Sequence, residues 1–360
     1  MTSKADFSTD LLQWYDHHAR VLPWRVPPAK SKAGALPNPY HVWLSEIMLQ
    51  QTQVATVRDY YLKFLSLWPS VDDLAVAETE DVMKAWAGLG YYSRARNLKK
   101  CAEIVSDEYE GIFPQSYDAL KKLPGIGDYT AAAISAIAFK QPAAVVDGNI
   151  ERVITRQYSL TEPVPKVKGQ VRGLVSNLLP VERPGDFAQA MMDLGASLCS
   201  PKKPACSLCP VGSSCAAHLE GNQETFPVKL PKAEKPLRRG AAFVILNKSG
   251  ELFLQKRIDS GLLGGMSEVP GTQWAARQDG HLGEQALPFN AEWKRCGTAK
   301  HTFTHFHLEL EVWSVLVAEP KTLTEGGWWV PQKDLGDEAL PTVMKKAISV
   351  ALPEAFKDKK

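Results

Sequence analysis

The stretch that decides the fold runs Leu123-Pro124-Gly125-Ile126-Gly127-Asp128-Tyr129-Thr130-Ala131-Ala132-Ala133-Ile134 and, after an apolar segment, Val145-Val146-Asp147-Gly148-Asn149-Ile150-Glu151-Arg152. Glycines at 125 and 127 permit a tight turn and close backbone approach. The Ala-rich helix expected from Thr130 aims its N-terminus at that turn. Its N–H groups and positive dipole end make a seat for an anion, of which a nucleic-acid phosphate is the obvious example. Taken alone, Leu123, Gly125 and Gly127 are also compatible with an ordinary helix–helix turn.

Outward from this stretch, residues 1–221 read as helical. Apolar residues recur at helical spacing from Val42 to Trp68, and another helix starts near Thr79 and stops at Gly88-Leu89-Gly90. Ser93 to Tyr109 predicts a helix with Arg94, Arg96, Lys99 and Lys100 on its exposed side. Stretches 130–139, 148–158, 169–179 and 186–198 complete an all-α set. Residues 222–239, with three prolines, five basic residues and little periodicity, read as a linker. Beyond it, 241–247, a Lys248-Ser249-Gly250 turn and 251–256 predict a strand pair. Alternation over 301–313 and the apolar run 314–318 predict further strands, and 340–352 a closing helix. The expectation is a multidomain chain: an all-α domain over 1–221, a linker over 222–239, and an α+β domain over 240–360.

Composition sets outer limits. At 44% hydrophobic and 23% charged, the chain reads as an ordinary globular protein. No apolar run approaches the ~18 residues needed to cross a bilayer. The first twenty residues carry acids and histidines where a signal peptide would be apolar. The expected setting is a reducing cytoplasm, with no membrane partner. Residues 1–221 hold 23 Lys+Arg against 23 Asp+Glu, and 222–360 hold 19 against 17. Contact with nucleic acid would therefore rest on local patches and backbone donors rather than on a general basic field.

Six cysteines divide into two groups. Cys101 and Cys296 stand alone and are expected to pack as small buried hydrophobes. The other four fall within seventeen residues, as Cys199-x6-Cys206-x2-Cys209-x5-Cys215. In a reducing compartment such crowding favours metal ligation over disulfides. Four thiolates from one short loop suit a tetrahedral zinc or a cubane cluster. Zinc ribbons usually present two C-x2-C knuckles, and one is present here.

Two carboxylates stand out. Asp147 lies where an apolar run meets a helix start, the place of an N-cap. Glu46 lies among Trp43, Leu44, Ile47, Met48 and Leu49. Either it faces solvent, or it is buried at a cost that raises its pKa toward that of a general acid at neutral pH.

Together, L-P-G-x-G followed by D-Y-T-A-A-A-I, V-V-D-G-N-I-E-R and the 6-2-5 cysteine spacing resemble the helix-hairpin-helix/Gly-Pro-Asp DNA glycosylases over most of residues 10–220. Ser45-Glu46-Ile47-Met48-Leu49-Gln50-Gln51-Thr52 looks like the signature of the MutY family. Endonuclease III-like relatives are normally apolar at the Glu46 position and carry a nucleophilic lysine where this chain has Tyr129. The resemblance implies a monofunctional adenine DNA glycosylase of base excision repair, acting on A:8-oxoguanine or A:G mispairs in double-stranded DNA. It implies Glu46, Asp147, Tyr129 and Asn149 as catalytic residues. It places Trp24, Arg25 and Gln189 at the base pocket, Gln51 and Tyr91 as wedges beside the lesion, and a structural 4Fe-4S cluster on Cys199, Cys206, Cys209 and Cys215. The cluster loop would present Lys202 and Lys203 to a phosphate. A monomeric, nucleoid-associated cytoplasmic protein is the corresponding expectation. The segment 27–38 is longer than the usual family loop, which leaves the place of Arg25 less fixed than that of Glu46.

Residues 240–356 resemble the MutT-like (Nudix-fold) domain appended to MutY proteins. A working Nudix hydrolase carries R-E-x-x-E-E on a helix to hold Mg2+. After Gly265 this chain reads MSEVPGTQWAARQDGHLGEQ, with no such cluster, and Glu268 alone cannot do that work. The resemblance therefore implies an 8-oxoguanine reader at Phe303, Thr304 and His305, with Thr304 in place of the usual serine.

Overall fold

The structure, a computed structural model, describes residues 4–164, 166–231, 234–258, 261–317 and 326–357. Lys232 and Ala233 of the expected linker and Ala318 of an expected strand lie outside the described residues. The chain divides into two compact units, Met1–Val76 with Asn97–Lys232 and Ala77–Arg96 with Ala233–Lys360.

The first unit is helical. Helix Pro39–Leu49 begins where the Asn38 side chain accepts from the Tyr40 N–H at 2.9 Å, with Pro39 preset for the first turn. The expected single run from 42 to 68 is two helices, Pro39–Leu49 and Val54–Leu67. Between them Gln51 takes φ +56. Both helices bury apolar faces, so the hydrophobic period resumes past the break and hides it. The sequence reading also passed over helix Lys4–His18.

Helix Asp128–Phe139 is buried from Thr130 through Ala138 and packs against Pro39–Leu49 and Pro184–Ser197. Its alanines let neighbours come close: a Cβ on Gly185 would stand 2.6 Å from the Ala136 carbonyl oxygen. Helix Gly148–Gln157 crosses Pro184–Ser197 equally tightly, since a Cβ on Gly195 would meet the Asn149 Cβ at 2.6 Å. These two contacts fix the helix that starts at Asp147 against the rest of the unit.

Helix Ser93–Tyr109 corrects one expectation. Lys100 is exposed, but Arg94 and Lys99 are buried. Arg94 donates to the carbonyls of Leu89 and Gly90, and Lys99 to that of Ala75 and to Glu103. Both charged ends are taken up by acceptors within the fold, a use of basic residues that charge alone does not reveal.

The second unit holds a sheet of β1 (Leu237–Asn247), β2 (Leu252–Lys256), β3 (Ser267–Glu268), β4 (Lys294–Thr302), β5 (His307–Val317) and β6 (Gly327–Val330). The order is β3-β2-β1-β5-β4, with β6 on β2, and β1 and β5 run parallel. β1 starts inside the stretch read as linker. The expected strand over 301–313 is broken by a turn closed by Phe303 N–H donating to the Phe306 carbonyl at 2.8 Å. One face of the sheet packs Leu308, Leu310 and Trp274 against Met344 and Ile348 of helix Thr342–Ala351. The other gathers Phe243, Phe253 and Trp313.

Candidate active site

Burial settles the choice left open at Glu46. It is 5% exposed, on helix Pro39–Leu49, and its Oε2 accepts the Tyr129 hydroxyl at 2.6 Å. Burial pushes its carboxyl up to about 7; the Tyr129 hydrogen bond opposes this, Asp147 adds to it, and Arg25 opposes it. Tyr129 is itself held well above the usual phenol range, first by burial and then by the Glu46 charge. It is a neutral donor at any working pH.

Asp147 caps helix Gly148–Gln157: its Oδ1 accepts from Ile150 N–H at 2.7 Å, and its Oδ2 from Asn149 Nδ2 at 2.9 Å. The Asn149 amide oxygen in turn accepts from Arg152 at 3.0 Å. That bond fixes which end of the amide faces Asp147.

Glu46, Tyr129, Asp147, Asn149, Trp24, Arg25, Gln51, Gln189, Gly125 and Gly127 all line one cavity of ≈ 850 Å³ in the first unit. Leu123 is buried beneath the hairpin and does not line it. Gly125 has φ +77, where a Cβ would also press on Asn97 at 2.9 Å. Gly127 differs: its Cβ would meet nothing within 4 Å, and no side chain caps the helix it precedes. Gln51 is exposed at its left-handed backbone, a local cost of the kind stored at ligand-facing positions.

Two arginines tie the pocket to partners that sequence reading missed. Arg25 donates to Asp193 at 2.7 Å, and Arg20 donates to the same carboxylate at 2.6 Å. Asp193 is 1% exposed. A lone acid in Ala190-Met191-Met192-Asp193-Leu194 was the available signal, because a buried charge requires partners.

None of the four loop cysteines is in a disulfide: Cys199 follows helix Pro184–Ser197, Cys206 opens a 3-10 turn that Cys209 closes, and Cys215 closes a second. Arg156, 2% exposed, donates to Cys199 Sγ at 3.2 Å and to the Ser200 carbonyl at 2.8 Å, while Arg152 donates to the Cys199 carbonyl at 2.8 Å. Burial pushes the Cys209 thiol up to about 12, and the other three cysteines push the same way. Among the described residues no three His, Cys, Asp or Glu side chains close on one metal-ion position. The donor chemistry fits a cationic iron–sulfur cluster: four cysteine sulfurs in one loop, with burial and neighbouring thiols pushing Cys206, Cys209 and Cys215 up, and an arginine hydrogen bond on the Cys199 sulfur. Lys202 and Lys203 are exposed on this loop. Of the lone cysteines, Cys101 is buried as expected, whereas Cys296 is only partly so and donates to the Ser314 hydroxyl.

In the second unit, Tyr91, Phe303, Thr304 and His305 line a cavity of ≈ 490 Å³. Phe303 stacks on Phe306 with ring centroids 4.7 Å apart, which leaves Thr304 and His305 exposed at the turn. The hydroxyls of Thr304 and Tyr91 lie 2.8 Å apart. Between Gly265 and Gly283 the described residues form only β3 and irregular loop, with no helix. Glu268 pairs with Arg257 at 2.5 Å.

Residues 44–176 match the HhH-GPD superfamily of base excision DNA repair proteins, and residues 241–350 match the NUDIX domain. The human adenine DNA glycosylase is 36% identical over 96% of this chain and 73% of its own length. The chain belongs to the adenine DNA glycosylase family. A Buchnera aphidicola (Schizaphis graminum) member of the family is 31% identical over 96% of this chain and 98% of its own. Among solved structures, a thermostable thymine-DNA glycosylase is similar at TM-score 0.54 and 29% identity, covering 60% of this chain and 97% of its own. As a family member the chain is a DNA N-glycosylase with a helical HhH-GPD region and a Nudix-like sheet region.

Proposed function

We propose that this glycosylase removes adenine mispaired with 8-oxoguanine or guanine from double-stranded DNA and leaves an abasic site. The observation that carries the reading is the buried Glu46, fixed by Tyr129 in one cavity with Asp147. The adenine is extruded into that cavity at a cost of a few kcal/mol in lost stacking. Tyr129 occupies Oε2 of Glu46, so the proton leaves from the other oxygen toward N7 of the base. Protonation makes the purine a leaving group, the C1′–N9 bond breaks, and both bonding electrons depart with the base. Asp147 steadies the oxocarbenium-like sugar, and Asn149 keeps it aimed. Water then adds at C1′ and gives its proton to Glu46, which resets the acid.

Trp24, Arg25 and Gln189 shape the base pocket, with Arg25 anchored through Asp193. Gln51 and Tyr91 wedge into the stack, and the hairpin at Leu123, Gly125 and Gly127 takes a backbone phosphate. A 4Fe-4S cluster, when bound by Cys199, Cys206, Cys209 and Cys215, supplies loop folding rather than chemistry. Arg152 and Arg156 brace that loop against the helix begun by Asp147. The turn at Phe303, Thr304 and His305 reads 8-oxoguanine.

The likeness to a thymine-DNA glycosylase raises a second reading, a pyrimidine glycosylase with strand-cleaving activity. Schiff-base chemistry needs an amine at the sugar, and Tyr129 has none. Base release from an A:8-oxoguanine duplex, with hot alkali as a separate step, tests both. Abasic sites that break only after alkali are expected. Breaks before alkali would establish the second reading instead.

A further inference from the structure

Asp128 stands at the mouth of the hairpin, the first residue of helix Asp128–Phe139. An acid in a first turn is ordinarily explained by the helix dipole. That explanation needs no partners, yet three side chains converge on this one from other segments. Lys121 Nζ lies 2.7 Å from Oδ1, the Tyr117 hydroxyl donates to the same oxygen at 3.0 Å, and Arg172 of helix Lys168–Leu178 lies 3.2 Å from Oδ2. All three charged side chains are about half exposed. Beside them lies the open space at Gly127 and a helix start without a side-chain cap.

We propose that Asp128 is an internal stand-in for a DNA phosphate, which holds Lys121 and Arg172 in the absence of DNA and hands them to the backbone when duplex docks. The proposal rests on the hairpin being the backbone grip. Condensed counterions sit on the DNA: a cation that moves from Asp128 to a phosphate releases one, but the bared Asp128 carboxylate recruits another, so one ion pair replaces another and the net release is smaller. Asp128 therefore weakens sequence-independent binding and flattens its salt dependence. Contacts to a lesion or an extruded base are left alone. The device lowers the backbone grip on damaged and undamaged duplex alike, and leaves discrimination to the contacts with the lesion and the base.

The test measures affinity of the intact chain, reconstituted with iron and sulfide, for an undamaged duplex across a NaCl series. Asp128→Asn keeps the side-chain shape and suits a helix start. It should tighten binding roughly fivefold at low salt and steepen the log–log salt slope by about one to two, one for each cation released to a phosphate. Adding Lys121→Gln and Arg172→Gln should return the slope to the parent value or below. Unchanged or weaker binding by Asp128→Asn overturns the proposal. So does a triple variant that keeps the tighter binding, because the gain would then come from lost repulsion and not from a handover. Gly127→Val separates the two readings: if it leaves duplex binding intact, the hairpin is not the grip and both fail. If it weakens binding while Asp128→Asn changes nothing, only the handover fails.

Discussion

At the scale of the residue, the site turns on a carboxyl kept neutral by its surroundings. Glu46 has its pKa raised to about 7, chiefly by burial. In the proposed mechanism the protonated form is the active one, so the single-turnover rate of base release should fall as pH rises through about 7. A rate flat from pH 5 to 9 would remove Glu46 as the acid. The same shift bears on stability. Between an ordinary carboxyl value of 4.5 and about 7, the folded protein keeps a proton that the unfolded chain has lost. Stability from this group therefore falls as pH rises through that window and stays reduced above it, by roughly 3 kcal/mol. Glu46→Gln should abolish base release while retaining lesion-duplex binding. It should also lose less stability than the parent between pH 5 and pH 8 in urea titrations. The sequence named this residue and its apolar neighbours but left its exposure open, because helical periodicity does not say which face a lone acid takes. Asp193 was passed over for the converse reason: its partners Arg20 and Arg25 lie more than 160 residues away in the chain.

At the scale of the element, Asp147 does two jobs that can be pulled apart. Its Oδ1 caps a helix, and its Oδ2 is held by Asn149. Asp147→Asn retains a cap oxygen but sets an amide NH2 against the Asn149 Nδ2 donor, so both it and Asp147→Ala, which loses the cap, should cost about 1 kcal/mol. Both should lose base release by several orders of magnitude. If the asparagine variant turns over normally, the carboxylate is only a cap. Gly195→Ala forces a methyl to within 2.6 Å of the Asn149 Cβ and 3.1 Å of its Cα. Backbone must move, at about 1–3 kcal/mol by urea titration. Because the displaced residue orients Asp147, the single-turnover rate should drop at temperatures where the variant is still folded; an undiminished rate would detach this helix crossing from catalysis. Helices with clean start signals, such as Gly148–Gln157 behind Asp147, were legible from sequence to within a residue or two. The break at Gln51 was not, since it contains neither glycine nor proline and the apolar period runs on past it.

At the scale of the whole molecule, two units carry different kinds of information. Motif spacing made the helical unit legible: one hairpin, one capped acid and four cysteines each restrict the backbone locally. The sheet unit declared its strands but not its pairing, because the parallel contact between β1 and β5 joins residues some seventy positions apart. The grouping of 77–96 with the second unit was likewise beyond local patterning. The turn proposed as reader in the second unit allows a clean test, because Thr304 is exposed and its replacement removes little buried surface. Thr304→Ala should therefore leave folding stability within about 0.5 kcal/mol. It deletes the hydroxyl that meets Tyr91 and, in the proposed reading, the one that faces the damaged base. A lost hydrogen bond to a buried polar partner is worth about 1–3 kcal/mol, roughly 5- to 160-fold in discrimination. Adenine release opposite 8-oxoguanine should thus slow relative to release opposite guanine, while Thr304→Ser should keep the parent ratio. If Thr304→Ala slows both mispairs by the same factor, the turn contributes to binding or alignment in general and the reader lies elsewhere in the chain.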